Sequence, residues 1–393
     1  MVLCHFSNDV ITDLLGVNSR REFAPWIYEF ILLFANDKNY ELNIIAPHSA
    51  VWSYRRVVFS ESVMFHFIPD YKIRGLGELN NRINRYVNYS LHRWRICKIC
   101  DTINPSLIHL FGAENPYYGL AALDLLNKYP VVVTIQGVVN HVREKGVMID
   151  YRKRVEVKII ERVHHFGVRD KDMIEFIQAH NSKAILHHHE IPIKHVKSDI
   201  IPEGTYDLIF FARVVKSKGI EDFIEIVKLL SNERPSIKAA VIGGGDKIYV
   251  DYIIEKIKDL GISENIRWVG VLDTIDQVHR HVVGSRLVVL PTYADTIPGT
   301  ILESFQLGVP VIAYAVGGIP SLNLSRESIA LIEKGDINKL ALRSMELLND
   351  DVKRNTLGKN AKETFTERWG SNKLLEQFVG MYSSVLGDNR ATS

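Results

Sequence analysis

The chain has 393 residues, of which 46% are hydrophobic, and a formal net charge of +2 at pH 7. This length exceeds that of one ordinary core and predicts two α/β domains, while the small net charge argues against a dedicated nucleic-acid binder. The three cysteines predict a reducing compartment and no disulfide framework. We expect no secretory leader and no membrane-spanning segment, because no apolar run reaches about 18 residues. A cytoplasmic protein is therefore expected.

The first half of the chain alternates apolar strands with helical stretches, which predicts a parallel sheet covered on both faces. The predicted strands are Val2 to Phe6, Leu42 to Ala46, Met64 to Ile68, Leu107 to Leu110 and Val131 to Ile135. The predicted helices are Trp26 to Ala35, Asn80 to Ile103, Gly119 to Asn127, Arg152 to Val163 and Lys171 to Ala179.

The helical stretch 80–103 combines cations with aromatic side chains. Its members are Arg82, Arg85, Arg93, Arg95 and Lys98, with Tyr86, Tyr89 and Trp94 between them. A helix of this composition can lie on an anionic membrane surface as a peripheral contact. Alternatively, Ile83, Val87 and Leu91 form a core stripe and the cations a solvated face. The sequence leaves both interpretations open.

Two patterns are similar to metal sites but have simpler explanations. Asp170-Lys171-Asp172 precedes a helix, and Asp172 and Glu175 have the spacing of a capping box. His187 to His189 are consecutive, so on a strand they would point to opposite faces. Structural roles are favoured for both patterns, and we expect no essential metal.

Residues 191–206 contain two prolines and no clear period, which predicts a linker between domains. Residues 207–365 repeat the alternation of strands and helices, and a last helical stretch covers Ser371 to Leu386. The predicted organisation is therefore a first domain at 1–200, a second at 201–370 and a C-terminal segment at 371–393.

The second half begins with a strand, Leu208 to Ala212, followed by Arg213 and then by Lys218 and a glycine before a helix. An Arg fork and a Lys point charge can together neutralise phosphate oxygens. The next strand ends at Gly243-Gly244-Gly245-Asp246, a glycine turn that is not G-x-G-x-x-G and so does not indicate a dinucleotide site.

Residues 288–320 are the most informative stretch. A strand, Val288 to Leu290, leads to a loop with Asp295, Pro298 and Gly299, then to a helix with Glu303 in its predicted first turn. A glycine loop before a helix N-terminus can bind an anion through free N–H groups. Carboxylates suit vicinal hydroxyls instead. Phosphate and diols together indicate a sugar nucleotide.

Asp295-x7-Glu303, the segment LGVPVIA at 307–313 and the Gly317-Gly318-Ile319-Pro320 turn resemble the retaining glycosyltransferases of family 4. That family has the GT-B fold, in which two Rossmann-like domains with parallel sheets face each other across a cleft. The resemblance also implies that the C-terminal segment at 371–393 is a helix that crosses back to the first domain. The resemblance covers about residues 205–325 well. Departures are Asp295, where the family usually has Glu, and Ser321, where the turn usually continues with Glu.

The resemblance implies a metal-independent transfer of a sugar from a nucleotide-sugar donor to an acceptor hydroxyl, without a further cofactor. The donor would be a UDP- or GDP-sugar bound by the second domain, and the acceptor a glycan, lipid-linked or small molecule bound by the first. The implied catalytic residues are Asp295, Lys218, Arg213 and Gln136. The implied nucleotide-binding residues are Glu303, Gly299, Thr300, Ile301, Gly243, Val271, Leu272 and Gly16.

Two implied contacts in the first domain depart from the family. Gln136 stands where many relatives place His; it cannot act as a base, but its amide can bind a hydroxyl or phosphate. Relatives often carry Gly-Gly before the first helix, where this chain has Ala24-Pro25, and a proline cannot donate to phosphate. The contact is then expected from Gly16-Val17-Asn18. Together with Asp295 and Ser321, these departures leave a catalytically weak partner subunit open as an alternative. A sugar-nucleotide 2-epimerase is a second alternative within the same fold.

Overall fold

A computed structural model of the chain describes residues 1–5, 9–16, 24–35, 37–70, 77–141, 145–194, 196 and 199–392. The chain divides into two compact units, Met1–Lys194 with Ser371–Ser393, and His195–Gly370. None of the helices in the described ranges has the length and apolar character that crossing a membrane requires.

The first unit is built on a sheet that contains eight strands among the described residues. These are β1 (Val2–Leu3), β2 (Leu42–His48), β3 (Arg55–Val58), β4 (Val63–Pro69), β5 (Ile108–Phe111), β6 (Val131–Thr134), β7 (His165–Val168) and β8 (Ile185–His188). Their spatial order is β3-β4-β2-β1-β5-β6-β7-β8, and the pairing is parallel except between β3 and β4. The strand order therefore reverses between β1 and β5, which is where α/β sheets usually bind ligands.

Seven helices of the described part of this unit precede the second unit in the chain. They are α1 (Asp9–Leu15), α2 (Pro25–Ala35), α3 (Gly77–Tyr86), α4 (Ser90–Ile103), α5 (Pro116–Leu125), α6 (Val147–Ile160) and α7 (Lys171–His180). Two apolar clusters bury the sheet, one around Leu110, Val133 and Ile159 and the other around Phe30 and Phe65. A sheet covered on both faces explains why its central strands β1, β5 and β6 are fully buried and mainly apolar.

Several local predictions for this unit were wrong. The first strand ends at Leu3, and Phe6 lies outside the described residues. The stretch 80–103 is two helices, because Asn88 (φ 48°) and Tyr89 (φ 54°) are left-handed and end the regular hydrogen bonding. The cap of α7 is Asp170, whose side chain accepts from the backbone N–H of Met173, and not Asp172.

The second unit contains a parallel sheet with six strands among the described residues. These are β9 (Tyr206–Phe211), β10 (Ala239–Ile242), β11 (Ile266–Gly270), β12 (Ser285–Leu290), β13 (Val311–Tyr314) and β14 (Ala330–Ile332). Its helices are α8 (Ile220–Glu233), α9 (Lys247–Asp259), α10 (Ile275–Val283), α11 (Gly299–Leu307), α12 (Ile337–Asn349) and α13 (Asp351–Trp369). The order β11-β10-β9-β12-β13-β14 reverses between β9 and β12.

The last helix, α14 (Ser371–Thr392), belongs to the first unit. Its Phe378 and Met381 join the apolar cluster around Phe30. Its Tyr382 hydroxyl lies 2.7 Å from Nδ1 of the buried His109. Both apolar and polar contacts therefore attach α14 to the first sheet.

A buried hydrogen-bond chain continues from His109 into the sheet. His109 Nε2 lies 2.7 Å from the Thr134 hydroxyl, which lies 2.9 Å from Nε2 of His189. Nδ1 of His189 lies 3.0 Å from the carbonyl oxygen of Glu190, which can only accept, so Nδ1 donates. Nε2 of His189 then accepts from Thr134. Burial lowers the pKa of His189 to about 3 and that of His109 well below its usual value, so both rings are neutral.

Candidate functional site

Two loops of the second unit meet at the point where its strand order reverses. The loop after β9 is residues 212–219, and the loop after β12 is residues 291–298. The carbonyl oxygen of Ser217 accepts from the backbone N–H of Tyr293 at 2.8 Å and from the Thr292 hydroxyl at 3.1 Å. Gly219 has φ 76°, and a Cβ there would lie 1.9 Å from the Pro291 carbonyl oxygen. Only glycine permits this approach.

The Gly317-Gly318 turn after β13 holds the loop that carries Asp295. The N–H of Gly318 donates to the carbonyl oxygen of Thr296 at 2.7 Å. Gly317 has φ 52°, and a Cβ there would lie 1.7 Å from the carbonyl oxygen of Asp295. The two glycines therefore allow the turn to pack directly against the main chain of the β12 loop. This packing fixes the position of the Asp295 main chain.

The glycine turn after β10 packs on the β9 loop in the same way. Gly243 has φ 134°, and a Cβ there would lie 1.9 Å from the carbonyl oxygen of Ala212. A Cβ on Gly244 would lie 2.6 Å from the Val271 side chain. Val271 is 77% exposed beside this turn, and Leu272 is half-buried. The ends of β9, β10, β12 and β13, together with Val271 after β11, therefore contribute to one edge of the second sheet.

Lys218 and Asp295 form an ion pair across this edge, between the β9 loop and the β12 loop. Each side chain is about a fifth exposed (18% and 19%), so solvent can still reach the pair. Arg213 is exposed at the start of the β9 loop. The sequence predicted both cations and Asp295 at this edge, but it did not predict that Lys218 and Asp295 contact each other.

Helix α11 begins at the same edge with Gly299, and no side chain caps its first turn. The N–H of Ile301 is already bonded to the Pro298 carbonyl oxygen at 3.0 Å, and the Ile301 side chain is fully buried. Ile301 is therefore unsuited to the ligand contact predicted for it. Gly299 is exposed and Thr300 half-buried, so their N–H groups are the ones that can face a ligand.

Glu303 lies in the second turn of α11, not in the first as predicted. Its Oε2 lies 3.1 Å from Nε2 of His279, a residue of α10 that is 4% exposed. The Glu303 side chain is 25% exposed. One oxygen of the carboxylate thus contacts His279, and the side chain is still partly open to solvent.

The first unit brings three polar residues to the ends of β5, β6 and β7. Arg169 Nη2 donates to the carbonyl oxygen of Gln136 at 2.7 Å, and burial lowers the pKa of Arg169 to about 10. Glu114 Oε1 accepts from Asn115 at 2.9 Å. Within the described ranges, Oε2 of Glu114 and Nε2 of Gln136 are buried without a hydrogen-bond partner. An acceptor and a donor of this kind suit a hydroxyl ligand.

Only part of the segment that was expected to contact phosphate in the first unit lies among the described residues. Gly16 ends α1 with φ 67°, while Val17 and Asn18 lie outside the described residues. Ala24 is buried and left-handed (φ 51°), a conformation that glycine adopts freely and that costs an L-residue about 1 kcal/mol. The backbone shape of a glycine turn is therefore kept at this position without the glycine.

In the portion of the chain that the structure describes, no three His, Cys, Asp or Glu side chains are grouped so that they could hold a metal ion. His187 instead lies against His165, with Nε2 and Nδ1 3.1 Å apart, and His189 belongs to the buried chain described above.

The residues that the sequence did not single out are His279 and Glu114. His279 contacts Glu303, which lies 24 positions later in the chain, and no sequence pattern near either residue indicates this contact. Glu114 follows the apolar strand β5 and a glycine, a position at which a polar residue can signal a strand-end site.

Residues 193–364 match the family model "Glycosyl transferases group 1". N-acetyl-alpha-D-glucosaminyl L-malate synthase of Bacillus anthracis is 26% identical over 190 residues, 48% of each chain. The capsular polysaccharide biosynthesis glycosyltransferase CapM of Staphylococcus aureus is 26% identical over 180 residues, 46% of each chain. The matching region thus spans about half the length of these curated relatives.

Solved structures match over nearly the whole chain. Sucrose-phosphate synthase from Thermosynechococcus elongatus has a TM-score of 0.70 at 16% identity, covering 93% of this chain and 94% of that one. HepE of Anabaena, solved in complex with UDP, has a TM-score of 0.67 at 15% identity, covering 98% and 99%. The predicted fold class is confirmed. Residues 193–364 are thus similar to the glycosyl transferases group 1 family, and the chain has the GT-B fold.

Proposed function

We propose that this protein is a retaining glycosyltransferase of family 4 that moves a sugar from a nucleotide-sugar donor to an acceptor hydroxyl, without a metal. The observation that carries the proposal is the edge of the second sheet at β9 and β12. There a cation, two carboxylates and an uncapped helix N-terminus converge. These groups match a diphosphate, a ribose diol and a hexose.

We assign to each group the role that the family resemblance implies for it. Glu303 binds the ribose diol, the N–H groups of Gly299 and Thr300 and the cations Arg213 and Lys218 face the diphosphate, and Asp295 binds hydroxyls of the transferred sugar. The glycine turn at Gly243 and the backbone at Val271 and Leu272 lie toward the base. Within the first unit, Gln136 and Glu114 offer a donor and an acceptor to a hydroxyl ligand.

The relatives support this chemistry, although their substrates are their own. CapM is named as a capsular polysaccharide biosynthesis glycosyltransferase, and HepE was solved with UDP, with UDP and glucose, and with UDP-glucose. A UDP-sugar is therefore the first donor to test, with GDP-sugars beside it.

Two alternatives give different results in one assay. A sugar-nucleotide 2-epimerase would convert the nucleotide sugar without any acceptor. A catalytically weak partner subunit would bind the nucleotide sugar but transfer nothing to a broad panel of acceptors. A glycosyltransferase transfers only when an acceptor is supplied.

Lys218→Ala is expected to lower turnover by about ten- to a hundredfold at saturating donor, with a smaller loss in nucleoside binding. Charge grows on the leaving diphosphate in the transition state, so a cation facing it stabilises that state most. The experiment measures the single-turnover rate of sugar transfer. It also measures the dissociation constants of UDP, uridine, GDP and guanosine. Lys216→Ala, a change at an exposed lysine of the same loop, is the control. Wild-type turnover in Lys218→Ala would remove this role.

We also propose that the protein is cytoplasmic and contacts the inner face of the membrane through α3 and α4. The interpretation of Ile83, Val87 and Leu91 as core was wrong, because these side chains are 40–50% exposed. Further exposed apolar side chains on the two helices are Leu79, Tyr86 and Trp94. Arg82 and Lys98 lie exposed among them and would face anionic lipid. A protein bound to the membrane through α3 and α4 could reach a lipid-linked acceptor.

Ile83→Asp is expected to reduce flotation with vesicles that contain anionic phosphatidylglycerol at least severalfold. The change adds a negative charge to the apolar stripe, which opposes both insertion and attraction to the lipid. Binding by the wild type should fall as salt rises, since screening weakens surface attraction. Ile248→Asp, at a residue of the second unit that is 81% exposed, is the control. Equal flotation of all three proteins would exclude this surface.

A further inference from the structure

Glu303 has two carboxylate oxygens, and the structure gives them different surroundings. Oε2 lies 3.1 Å from Nε2 of His279. Oε1 is directed toward the start of α11, since a Cβ added to Gly299 would lie 3.7 Å from it. One oxygen is therefore occupied by the protein, and the other faces the helix N-terminus at the sheet edge.

His279 is suited to hold this arrangement. It is 4% exposed and lies on α10, whose first turn is closed by a capping box between Thr274 and Gln277. An imidazole nitrogen that faces a carboxylate oxygen at this distance donates its hydrogen. A glutamate side chain that is 25% exposed would otherwise sample several rotamers, so the hydrogen bond selects one of them.

We propose that His279 is a positioning residue that orients Glu303 toward the ribose of the donor and thereby sets the preference for ribonucleotides. This inference rests on the proposed function, because it gives Glu303 the ribose diol. Oε1 retains both lone pairs and accepts from the ribose hydroxyls, while Oε2 stays with His279. When His279 is removed, Glu303 is free to turn away, and the advantage of a ribose with both hydroxyls is lost.

The readout is the ratio of dissociation constants for a 2′-deoxynucleoside diphosphate and its ribonucleotide. UDP and 2′-deoxy-UDP are compared by calorimetry, with GDP and 2′-deoxy-GDP in parallel. In the wild type the ratio is expected to be about ten or more, because a hydroxyl is lost from a charged acceptor. In His279→Phe it should fall toward one. A defect in folding alone would weaken both nucleotides equally and leave the ratio unchanged.

Two further variants separate positioning from packing. His279→Gln keeps an amide donor and should retain most of the ratio. His281→Phe removes a histidine that is 2% exposed on the same helix but lies 3.3 Å from the Tyr206 hydroxyl and 3.7 Å from Glu203, so it should keep the wild-type ratio. An unchanged ratio in His279→Phe, or an equal loss in His281→Phe, would overturn the inference.

Glu303→Ala distinguishes this inference from the proposed function. Its ratio should also fall toward one, and adding His279→Phe to it should change nothing further. If Glu303→Ala keeps the ribonucleotide preference, the ribose assignment is wrong and the proposed site with it. If Glu303→Ala loses the preference while His279→Phe keeps it, only the positioning role is wrong. Failure of the wild type to bind any of the four nucleotides would overturn both.

Discussion

Asp295→Asn should lower single-turnover sugar transfer by about ten- to a thousandfold, equivalent to roughly 1.4–4 kcal/mol of transition-state stabilisation. The carboxylate is expected to bind hydroxyls of the transferred sugar, and a neutral amide binds them more weakly. Nucleoside diphosphate binding should not weaken. In the structure Asp295 pairs with Lys218, so removing the carboxylate frees the ammonium group for the diphosphate.

The experiment measures the rate of sugar transfer at saturating nucleotide sugar and, separately, the affinity for UDP and GDP. Asp273→Asn, a change at an exposed aspartate in the loop after β11, is the matched control and should behave as wild type. Asp295→Glu tests the distance between the loop and the sugar, because the longer side chain is tolerated only if the loop can retreat. Loss of nucleoside diphosphate binding in Asp295→Asn would contradict the proposal that Asp295 binds the transferred sugar and Glu303 the ribose.

The first unit is expected to lose stability steeply below pH 6.5. The unfolded chain binds protons at its histidines as the pH falls, whereas buried His189 (pKa about 3) and His109 stay neutral in the folded unit. The stability from His189 is therefore complete above pH 6.5 and lost toward pH 3, and His109 contributes in the same direction. For His189 alone the loss at pH 4.5 is about 3 kcal/mol. Burial also lowers the pKa of His66, to about 4, which adds to the same trend.

The check is the free energy of unfolding from urea titrations at pH 7, 5.5 and 4.5, with pulsed hydrogen exchange to follow each unit separately. His189→Gln should give a shallower pH dependence, because one neutral histidine is gone while an amide can still bond to Thr134 and Glu190. Exposed His164 lies next to β7, and His164→Gln serves as its control. An identical pH slope in His189→Gln and wild type would contradict the assignment.

The sequence was a good guide wherever local chemistry decides structure. Val131 to Val133 and Leu208 to Phe211 are continuous apolar runs, and both lie in buried central strands. Strand β3 was missed because Arg55 and Arg56 are exposed at an edge, where neither burial nor alternation marks a strand. The break at Asn88 and Tyr89 was missed because neither residue is a glycine or proline.

The site was predictable as a set of residues but not as a set of contacts. Asp295, Glu303 and Lys218 are recognisable from their spacing to glycines and helix starts. Their partners depend on the strand order, which places the β9 loop against the β12 loop across 77 positions. The pairing of Glu303 with His279 likewise depends on how α10 and α11 pack, and no residue pattern near either one encodes it.

A crystal structure of the wild-type protein with bound nucleotide sugar tests the central claim most directly. The account predicts the ribose hydroxyls on Oε1 of Glu303, the diphosphate at about 3 Å from Nζ of Lys218 and from the start of α11, and the sugar on Asp295. Oε2 of Glu303 should remain with His279. A nucleotide sugar bound away from this edge, with the Lys218–Asp295 pair undisturbed, would contradict it.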